Sequence, residues 1–462
     1  MSFELRKLWE HAGGQLPADW SIVSFESLLR DSKSIAVGVM YPGPDTPGGV
    51  PLLKVGDVKD GSVPIKPSYC ISAETDEEHK RTKLVGDELL ITLVGNPGEC
   101  VVVTPEMAGW NPARAIAVAR LHDTSLRTYL KTVLESTAGR HLIDAVLNTT
   151  VQKTLNLKDI RKLPIPLPSS ATIKSISSFS EALTRRITLL RETNATLEAT
   201  AQALFKSWFV DFDPVHAKAE GRQPEGMDAA TAALFPDSFE ESELGLVPNG
   251  WAEVRLGQLC NFQKGCSYKG NGLSDEQGAY MFNLGCFNAP RVYAFEKVKR
   301  YTGDFKDKHR VKAGDLIIAN TDMTQHRAIL GRPLLIPDGM GPGFVSHHVF
   351  KVVTNKQYGD GIKPFLFFCF LHSSFRERAV GYATGTTVLA LPRDALEQHL
   401  IYLPSNELLE VFADLCEPIF AAIKSNEVQT QTLTQLRDTL LPRLISGQLR
   451  LPEAESLLEK AL

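Results

Sequence analysis

Residues 169–212 read SSATIKSISSFSEALTRRITLLRETNATLEATAQALFKSWFVDF. Ile173, Ile176, Leu183, Ile187, Leu190, Leu197, Ala201, Leu204 and Trp208 fall in steps of three and four, and polar Ser180 and Asn194 fill the two gaps. That spacing is a heptad seam and predicts one long helix. A second seam lies 236 residues further on: Leu409, Phe412, Cys416, Ile419, Ile423, Thr430, Leu433, Leu440 and Leu444. Asn426 stands where Leu190 does, and Arg437 where Ala201 does. Ser169 and Ser405 each follow a proline and suit helix N-caps. Pro418 is expected to kink or break the second helix, and Pro442 and Gly447 to end it. Some 40 residues at 1.5 Å rise make a rod of about 60 Å. A rod with one apolar seam needs a partner. The seams match in length, so the expectation is that the two helices pair with each other as an antiparallel coiled coil.

Outside the helices the chain repeats itself at similar offsets. Leu16-Pro17-Ala18-Asp19-Trp20 returns as Val247-Pro248-Asn249-Gly250-Trp251. Val85-Gly86-Asp87-Glu88-Leu89-Leu90-Ile91 returns as Ala313-Gly314-Asp315-Leu316-Ile317-Ile318-Ala319. Thr149-Thr150-Val151 returns as Thr386-Thr387-Val388, and Pro166-Leu167-Pro168 as Tyr402-Leu403-Pro404. Repeats of this kind organise a chain. Short β-branched runs bounded by turn residues read as strands: Glu88–Val94, Cys100–Thr104, Asp315–Ile318 and Val349–Val353. Thr124–Leu147 and Pro364–Val380 read as helical. The expected fold is therefore α+β: two similar globular domains separated by two long antiparallel coiled-coil helices, in an internal pseudo-two-fold repeat. The boundaries read as a first domain at 1–168 with a short N-terminal helix and a spacer helix at 169–212. A linker at 213–248, a second domain at 249–404 and a C-terminal spacer helix with its tail at 405–462 complete the chain.

With 462 residues, 43% hydrophobic and 23% charged, the chain has ample material for a core and is not a disordered or collagen-like sequence. No apolar run reaches about 18 residues, and Met1–Lys7 lacks a signal pattern, so neither a membrane span nor secretion is expected. Seven cysteines without a C-x-x-C pair argue against a zinc ribbon or a disulfide framework and favour a reducing cytoplasmic setting. The net charge of −4 hides segregation. Residues 249–404 hold 19 basic and 13 acidic side chains, while 18–168 hold 17 and 18 and 169–248 hold 7 and 12. A locally basic third is compatible with nucleic acid despite the acidic total.

Enzymatic motifs are missing. An amino-methyltransferase needs an Asn/Asp-Pro-Pro-aromatic loop, and Asn96-Pro97-Gly98 and Asn111-Pro112-Ala113 lack the second proline. Gly339-Met340-Gly341-Pro342-Gly343 is glycine-rich but reads as a loop, and no P-loop occurs. The acidic run after Pro236-Asp237 has no lysine in a nuclease position. His347-His348 hints at a metal, but neighbours on a strand would point to opposite faces.

Residues Ala203-Leu204-Phe205-Lys206-Ser207-Trp208-Phe209-Val210-Asp211-Phe212-Asp213-Pro214-Val215 form the most distinctive block. Phe235-Pro236-Asp237-Ser238-Phe239 and Glu243-Leu244-Gly245-Leu246-Val247-Pro248-Asn249-Gly250-Trp251 follow it. In order and spacing they resemble the central region of the specificity (S, HsdS) subunit of type I restriction–modification systems. Leu436-Arg437-Asp438-Thr439-Leu440-Leu441-Pro442-Arg443-Leu444-Ile445-Ser446-Gly447-Gln448-Leu449 resembles that family's C-terminal region. The resemblance spans essentially the whole chain and is tightest in the helices.

It implies a non-catalytic DNA-binding subunit whose two target recognition domains each read one half of a bipartite site in double-stranded DNA. The helices would set the spacer and dock two methyltransferase (M) subunits, with restriction/motor (R) subunits joining the complex. AdoMet would belong to the methyltransferase subunit and ATP with Mg to the restriction subunit, none being bound by this chain. The rival reading is a stand-alone DNA-modifying enzyme, which lacks its motifs. A purely structural scaffold would not need two large duplicated domains.

DNA-contact candidates follow from residue type, with Arg or Lys suited to guanine, Asn or Gln to adenine, and hydroxyls and cations to phosphate. In the second domain these are Lys297, Lys299, Arg300, Lys306, Lys308, Arg310 and Lys312, interleaved with Tyr301 and Phe305, a run that suits a phosphate track. Asn320, Thr321, Gln325, His326 and Arg327 follow the Gly-Asp strand. In the first domain Thr92, Asn96, Asn111, Arg114 and Arg120 are candidates, with Lys80, Arg81 and Lys83. The pairs Thr149-Thr150 and Thr386-Thr387 suit phosphate. The near-neutral first domain implies that the methyltransferase partners supply much of the non-specific DNA affinity.

Overall fold

The computed structural model describes every residue except 1, 60, 64–66, 68, 148–152, 243–244, 288–290, 296, 324–326, 359–360, 386–387 and 462. Two compact units form, Met1–Leu189 with Gln429–Leu462, and Leu190–Val428.

In the first unit α1 (Ser2–His11) precedes β1 (Ser21–Ser24), β2 (Ile35–Val37), β3 (Val50–Leu53) and β4 (Cys70–Ile71). After α2 (Ala73–Glu78) come β5 (Leu89–Thr92), β6 (Cys100–Val102), β7 (Asn111–Pro112) and β8 (Ile116–Ala119). Three helices, α3 (Arg127–Glu135), α4 (Thr137–Val146) and α5 (Leu157–Lys162), lead to β9 (Pro164–Leu167) and the long α6 (Ser170–Phe209). One sheet has the order β2-β8-β5-β6 and a second β4-β3-β7, and β1 pairs with β9. The pair β3–β7 is parallel.

In the second unit α7 (Asp213–Ala219) and α8 (Ala229–Ala233) precede a hairpin of β10 (Phe239–Ser242) and β11 (Gly245–Pro248). Next come β12 (Ala252–Arg255), α9 (Leu256–Leu259), β13 (Cys260–Lys264), β14 (Leu273–Ser274), β15 (Ala279–Phe282) and β16 (Lys299–Tyr301). Then follow β17 (Arg310–Val311), β18 (Leu316–Ala319), β19 (Thr321–Asp322), β20 (Pro333–Leu335), β21 (Gly343–Val345) and β22 (Val349–Thr354). After α10 (Ile362–Leu371) and α11 (Ser373–Gly381) come β23 (Leu389–Ala390), α12 (Arg393–Glu397) and β24 (Leu400–Leu403). The long α13 (Asn406–Ile445) follows, and α14 (Leu451–Ala461) closes the chain in the first unit. The sheet orders are β13-β22-β18-β20 and β14-β16-β15-β21-β17, with β12 paired to β24 and β15–β21 parallel. The four-stranded sheet and the terminal strand pair of the first unit thus recur in the second, while its three-stranded sheet is matched by a larger five-stranded one.

The repeat extends to details that force the backbone. A Cβ on Gly38 would lie 2.0 Å from Pro112 O, and one on Gly265 2.1 Å from Ser346 O. Each glycine lets its strand pass close to the parallel neighbour, where Val39 N donates to Pro112 O at 2.7 Å and Cys266 N to Val345 O at 3.0 Å. One repeat string is out of register by a residue. The sequence aligns Asp87 with Asp315, but Glu88 does the work of Asp315: its buried carboxylate accepts from Val85 N three residues back, as Asp315 does from Lys312 N. Side-chain length differs, so the shared Gly-Asp string misleads.

The expected helical stretches 124–147 and 364–380 each divide. Ser136 Oγ accepts from Gly139 N and separates α3 from α4. His372 separates α10 from α11, its Nδ1 accepting from Ser374 N.

Along α6, the seam residues Ile176, Leu183, Ile187, Leu190, Ala201 and Trp208 are buried, and Leu197 and Leu204 are half-buried. Along α13, Phe412, Ile423, Leu433, Leu440 and Leu444 are buried and Ile419 is half-buried. In the first unit Ser180 shares a pocket with Arg437 and Leu441, and Arg186 donates to Gln429 at 3.5 Å. In the second unit Asn194 bonds Asn426, and Phe205 and Trp208 meet Phe412. Partner numbers on α13 fall as those on α6 rise, so the helices pair antiparallel in each unit. Ser169 and Ser405 cap as expected, their hydroxyls accepting from Thr172 N and Leu408 N at 3.2 Å.

Of the kink or break expected at Pro418, the break does not occur, and Pro442 lies inside α13, the helix running on to Ile445. Pro418 is exposed, and Cys416, Phe420 and Ile423 around it are buried. The packed seam holds the backbone helical across one missing N–H, overriding the local preference. Phe205 lies within 5.4 to 6.1 Å of the rings of Phe209, Phe365, Phe368 and Phe412, so the helix pair and α10 of the second unit share one aromatic core.

Candidate nucleic-acid interface

In the second unit most cations of the expected run lie at the surface. Lys297, Lys299, Lys306, Lys308, Arg310 and Lys312 are exposed, and Arg300 is half-buried. Two of its cations are oriented by aromatic rings. The Arg300 guanidinium lies 3.6 Å over the Tyr280 ring, with Nη1 donating to Gly278 O at 3.2 Å. Arg310 lies 5.0 Å over Phe305, which stacks on Phe344 at 4.3 Å, and its Nε donates to Asp307 at 2.6 Å. Cations held over rings lose little conformational entropy on binding an anion.

Lys308 also borders a groove that the sequence does not reveal. Asn261, Gln263 and Lys264 of β13 line it together with Asn320, Thr321, Thr384 and Arg393. Asn261 and Gln263 sit two apart on β13 and are exposed, while Phe262 between them is buried, as strand alternation dictates. The clue in the sequence is that alternation of Cys260, Phe262 with Asn261, Gln263; the convergence of Lys308 and Arg393 on it comes only from tertiary folding. The field here is positive. Burial first, and then Lys264, holds the His347 imidazole below its ordinary range; for His348 the charge of His347 comes between the two. Burial, with Lys308 and Lys306, does the same to His309 despite its bond to Lys264 O at 3.0 Å.

His347 and His348 are not on a strand, as the sequence reading assumed. They occupy the turn between β21 and β22, and their rings lie 3.8 Å apart rather than on opposite faces. Among the described residues no group of three or more His, Cys, Asp or Glu is placed to hold a metal ion.

Some candidates are spent inside the fold. Asn320 is 3% exposed and donates to His347 O at 3.2 Å, and Thr321 bonds His348 Nδ1 at 2.8 Å. Arg327 is exposed. Gln325, His326, Thr386, Thr387, Thr149 and Thr150 lie outside the described residues.

The first unit offers fewer free groups. Asn111 is fully buried, donating to Asp76 at 3.1 Å and accepting from Thr82 at 2.8 Å. Thr92 is buried, with its oxygen accepting from Glu99 N at 3.0 Å. Arg120 clamps the segment before β5, donating to Arg81 O at 2.6 Å, Lys83 O at 2.8 Å and the buried Glu88 at 3.1 Å. Lys83 pairs with buried Asp76. Internal hydrogen bonding thus takes up Asn111, Thr92 and Arg120, while Lys83 remains partly exposed beside its ion pair. Lys80, Arg81, Asn96 and Arg114 are exposed, Lys80 pairing with Glu77 at 2.7 Å. A separate pocket gathers Lys131, Arg140 and Arg437, but Glu99, Glu135 and Asp438 balance their charge.

No family model matches the chain. The EcoBI specificity subunit of the type I restriction enzyme of Escherichia coli is 27% identical over 198 residues, 41% of this chain and 42% of that protein. The HindI specificity subunit of Haemophilus influenzae is 26% identical over 366 residues, 70% of this chain and 74% of its own length. The MjaIX specificity subunit of Methanocaldococcus jannaschii is 24% identical over 302 residues, 64% of this chain and 62% of its own. Two of these three matches thus span less than two thirds of the relative's length. Among solved structures, the S subunit of a type I restriction–modification system from M. genitalium matches with a TM-score of 0.54 and 15% identity. That match covers 93% of this chain and 98% of that one, and it bears on the fold. The resemblance to type I specificity subunits read from the sequence is shown by these relatives. No helix among the described residues is long and apolar enough to cross a membrane.

Proposed function

We propose that this chain is the sequence-specific DNA-binding subunit of a type I restriction–modification complex. The observation that carries the proposal is the duplicated recognition fold. The two copies share the order of the four-stranded sheet and the forced glycines, yet carry different side chains beside those glycines. Gln263 and Lys264 precede Gly265, where Ala36 and Val37 precede Gly38. Two copies of one scaffold with different faces suit a reader of two different half-sites.

In this reading each copy contacts one half of a split double-stranded site. The groove of Asn261, Gln263, Lys264, Lys308 and Arg393 serves the second copy, with amides for base edges and cations for phosphate. In the first copy the exposed Lys80, Arg81, Asn96 and Arg114 are the remaining candidates. The paired helices set the distance between halves and dock two methyltransferase subunits, to which restriction subunits add. The chain makes no bond itself; AdoMet serves the methyltransferase subunit and ATP with Mg the restriction subunit. It works in the cytoplasm, where the DNA is.

The test is a methylome. The chain is expressed with its cognate methyltransferase subunit, and modified adenines are mapped across the host genome. A split motif with two short defined halves and a fixed gap, present only when both chains are, is the expected result. Methylation by this chain alone, or a continuous motif, overturns the proposal.

A further inference from the structure

Three arginines of the second unit share one pocket away from the groove just described. Arg291 precedes Val292 in the loop between β15 and β16, Arg332 leads into β20, and Arg376 lies on α11. Glu198 and Gln202 of α6 complete the polar lining of a cavity of ≈ 210 Å³, many times what one water needs.

Arg291 is paired with an acid, whereas Arg332 and Arg376 hydrogen-bond only to neutral carbonyls. Arg291 donates through Nη1 to both oxygens of Glu427 at 3.1 Å. Arg376 donates to Ala328 O at 2.9 Å, and Arg332 to Phe287 O at 3.4 Å, both neutral carbonyls. Arg332 Nε and Arg376 Nη1 are buried without a hydrogen-bond partner. Burial first, and then the charge of Arg376, disfavours the charged form of Arg332, and Asp322 is the nearby acid that acts on both. Glu198 is a weak counter-charge, because burial pushes its carboxyl up to about 7. Guanidinium groups half removed from water, crowded together and left with unpaired N–H are costly unless an anion joins them. Arginine forks match tetrahedral oxyanions, which accept several N–H bonds at once.

We propose that the pocket of Arg291, Arg332 and Arg376 binds an oxyanion of the phosphate class. The chemistry is shared by free phosphate and by a DNA backbone phosphate. The site does not depend on the chain being a specificity subunit.

The intact chain is titrated with inorganic phosphate at constant ionic strength, and the thermal midpoint is followed against a chloride control. The wild-type midpoint should rise saturably, as for any ligand that binds the folded state. Arg332→Gln and Arg376→Gln should lose that rise. Glu198→Gln keeps all three arginines and removes the competing negative charge, so at pH 8 it should bind phosphate several-fold more tightly. It also keeps the test alive if the arginine variants fail to fold. A wild-type response no greater than with chloride overturns the proposal, as does an equal response in the folded arginine variants or unchanged affinity in Glu198→Gln. Duplex DNA of arbitrary sequence separates the sources. Abolition of the phosphate response by DNA assigns the pocket to backbone phosphate, and persistence assigns it to the free ion.

Discussion

Arg291 Nη1 donates to both carboxylate oxygens of Glu427, each at 3.1 Å, and so ties a loop of the second unit's sheet domain to α13. Glu427 belongs to a polar layer within the seam. Asn194 donates to Ile423 O at 3.3 Å and Glu427 Oε1 at 3.5 Å, and Asn426 donates to Asn194 Oδ1 at 2.8 Å. Asn426 is the residue that departs from the repeat by replacing a leucine. Polar groups of this kind inside a seam fix register, because any slip leaves them unpaired.

Removing one partner of the ion pair should therefore cost more than neutralising the other. Arg291→Ala leaves a Glu427 carboxylate that is 12% exposed, beside Glu198. The expected loss is about 2–3 kcal/mol, somewhat below the range for a fully buried pair. Glu427→Gln keeps the side chain's shape and an acceptor for Asn194 and should cost less than half as much. Denaturant unfolding of the two single variants and the double variant measures the coupling. A coupling near zero would show that the pair does no more than an exposed one.

Glu198 gives the fold a pH dependence of definite sign. Its carboxyl sits near 7 when folded, through burial and the charge of Glu427, against 4.5 in the unstructured chain. Between those values the folded chain holds a proton that the unfolded chain has released. This group's contribution is thus fully present below about pH 4.5 and is lost as pH rises through about 7. Glu198→Gln should be close to neutral at pH 5 and should stabilise the chain at pH 8 by up to about 3 kcal/mol. Unfolding at the two pH values checks it, and an equal effect at both is the contrary outcome.

The seam was legible because a 3.5-residue period depends on residue type alone, and a single leucine-to-asparagine change does not erase it. The break expected at Pro418 does not occur, because sequence shows the missing N–H but not the packing by Cys416 and Phe420 that outweighs it. The repeat strings located the strands, yet a Gly-Asp identity outranked the shared role of Glu88 and Asp315, which appears only as a buried carboxylate capping a turn. Candidate DNA contacts chosen by type alone included Asn111, Thr92 and Arg120, which the fold spends internally. The groove on β13 was missed because Lys308 and Arg393 reach Asn261 and Gln263 only through tertiary folding.

The paired glycines predict matched failures in the two units. An alanine at Gly265 would drive its Cβ toward Ser346 O and separate β13 from β21, and one at Gly38 would do the same against Pro112 O. Each obstacle is backbone, so nothing flexible can yield. Gly265→Ala and Gly38→Ala should each cost about 1–3 kcal/mol, as overpacking does. Gly56→Ala, whose Cβ would meet nothing within 4 Å, is the control and should be nearly neutral. Thermal unfolding with hydrogen exchange at Cys266 N and Val39 N locates the damage, and intact protection there would contradict the packing argument.

The charged groove predicts a change in salt dependence, which separates phosphate contacts from fold effects. Lys264 and Lys308 are exposed, and among the described residues no acidic side chain lines their groove. If each neutralises one phosphate, Lys264→Ala and Lys308→Ala should each reduce the slope of log K against log salt by about 0.9. The loss in affinity should be similar for specific and arbitrary duplexes. Asn261→Ala and Gln263→Ala should instead leave the slope unchanged and relax the bases accepted in one half-site, by about 1–3 kcal/mol of discrimination each. Binding measured from low to moderate salt on both kinds of duplex distinguishes the two classes. Unchanged slopes in both lysine variants would place the DNA on another face of the second unit.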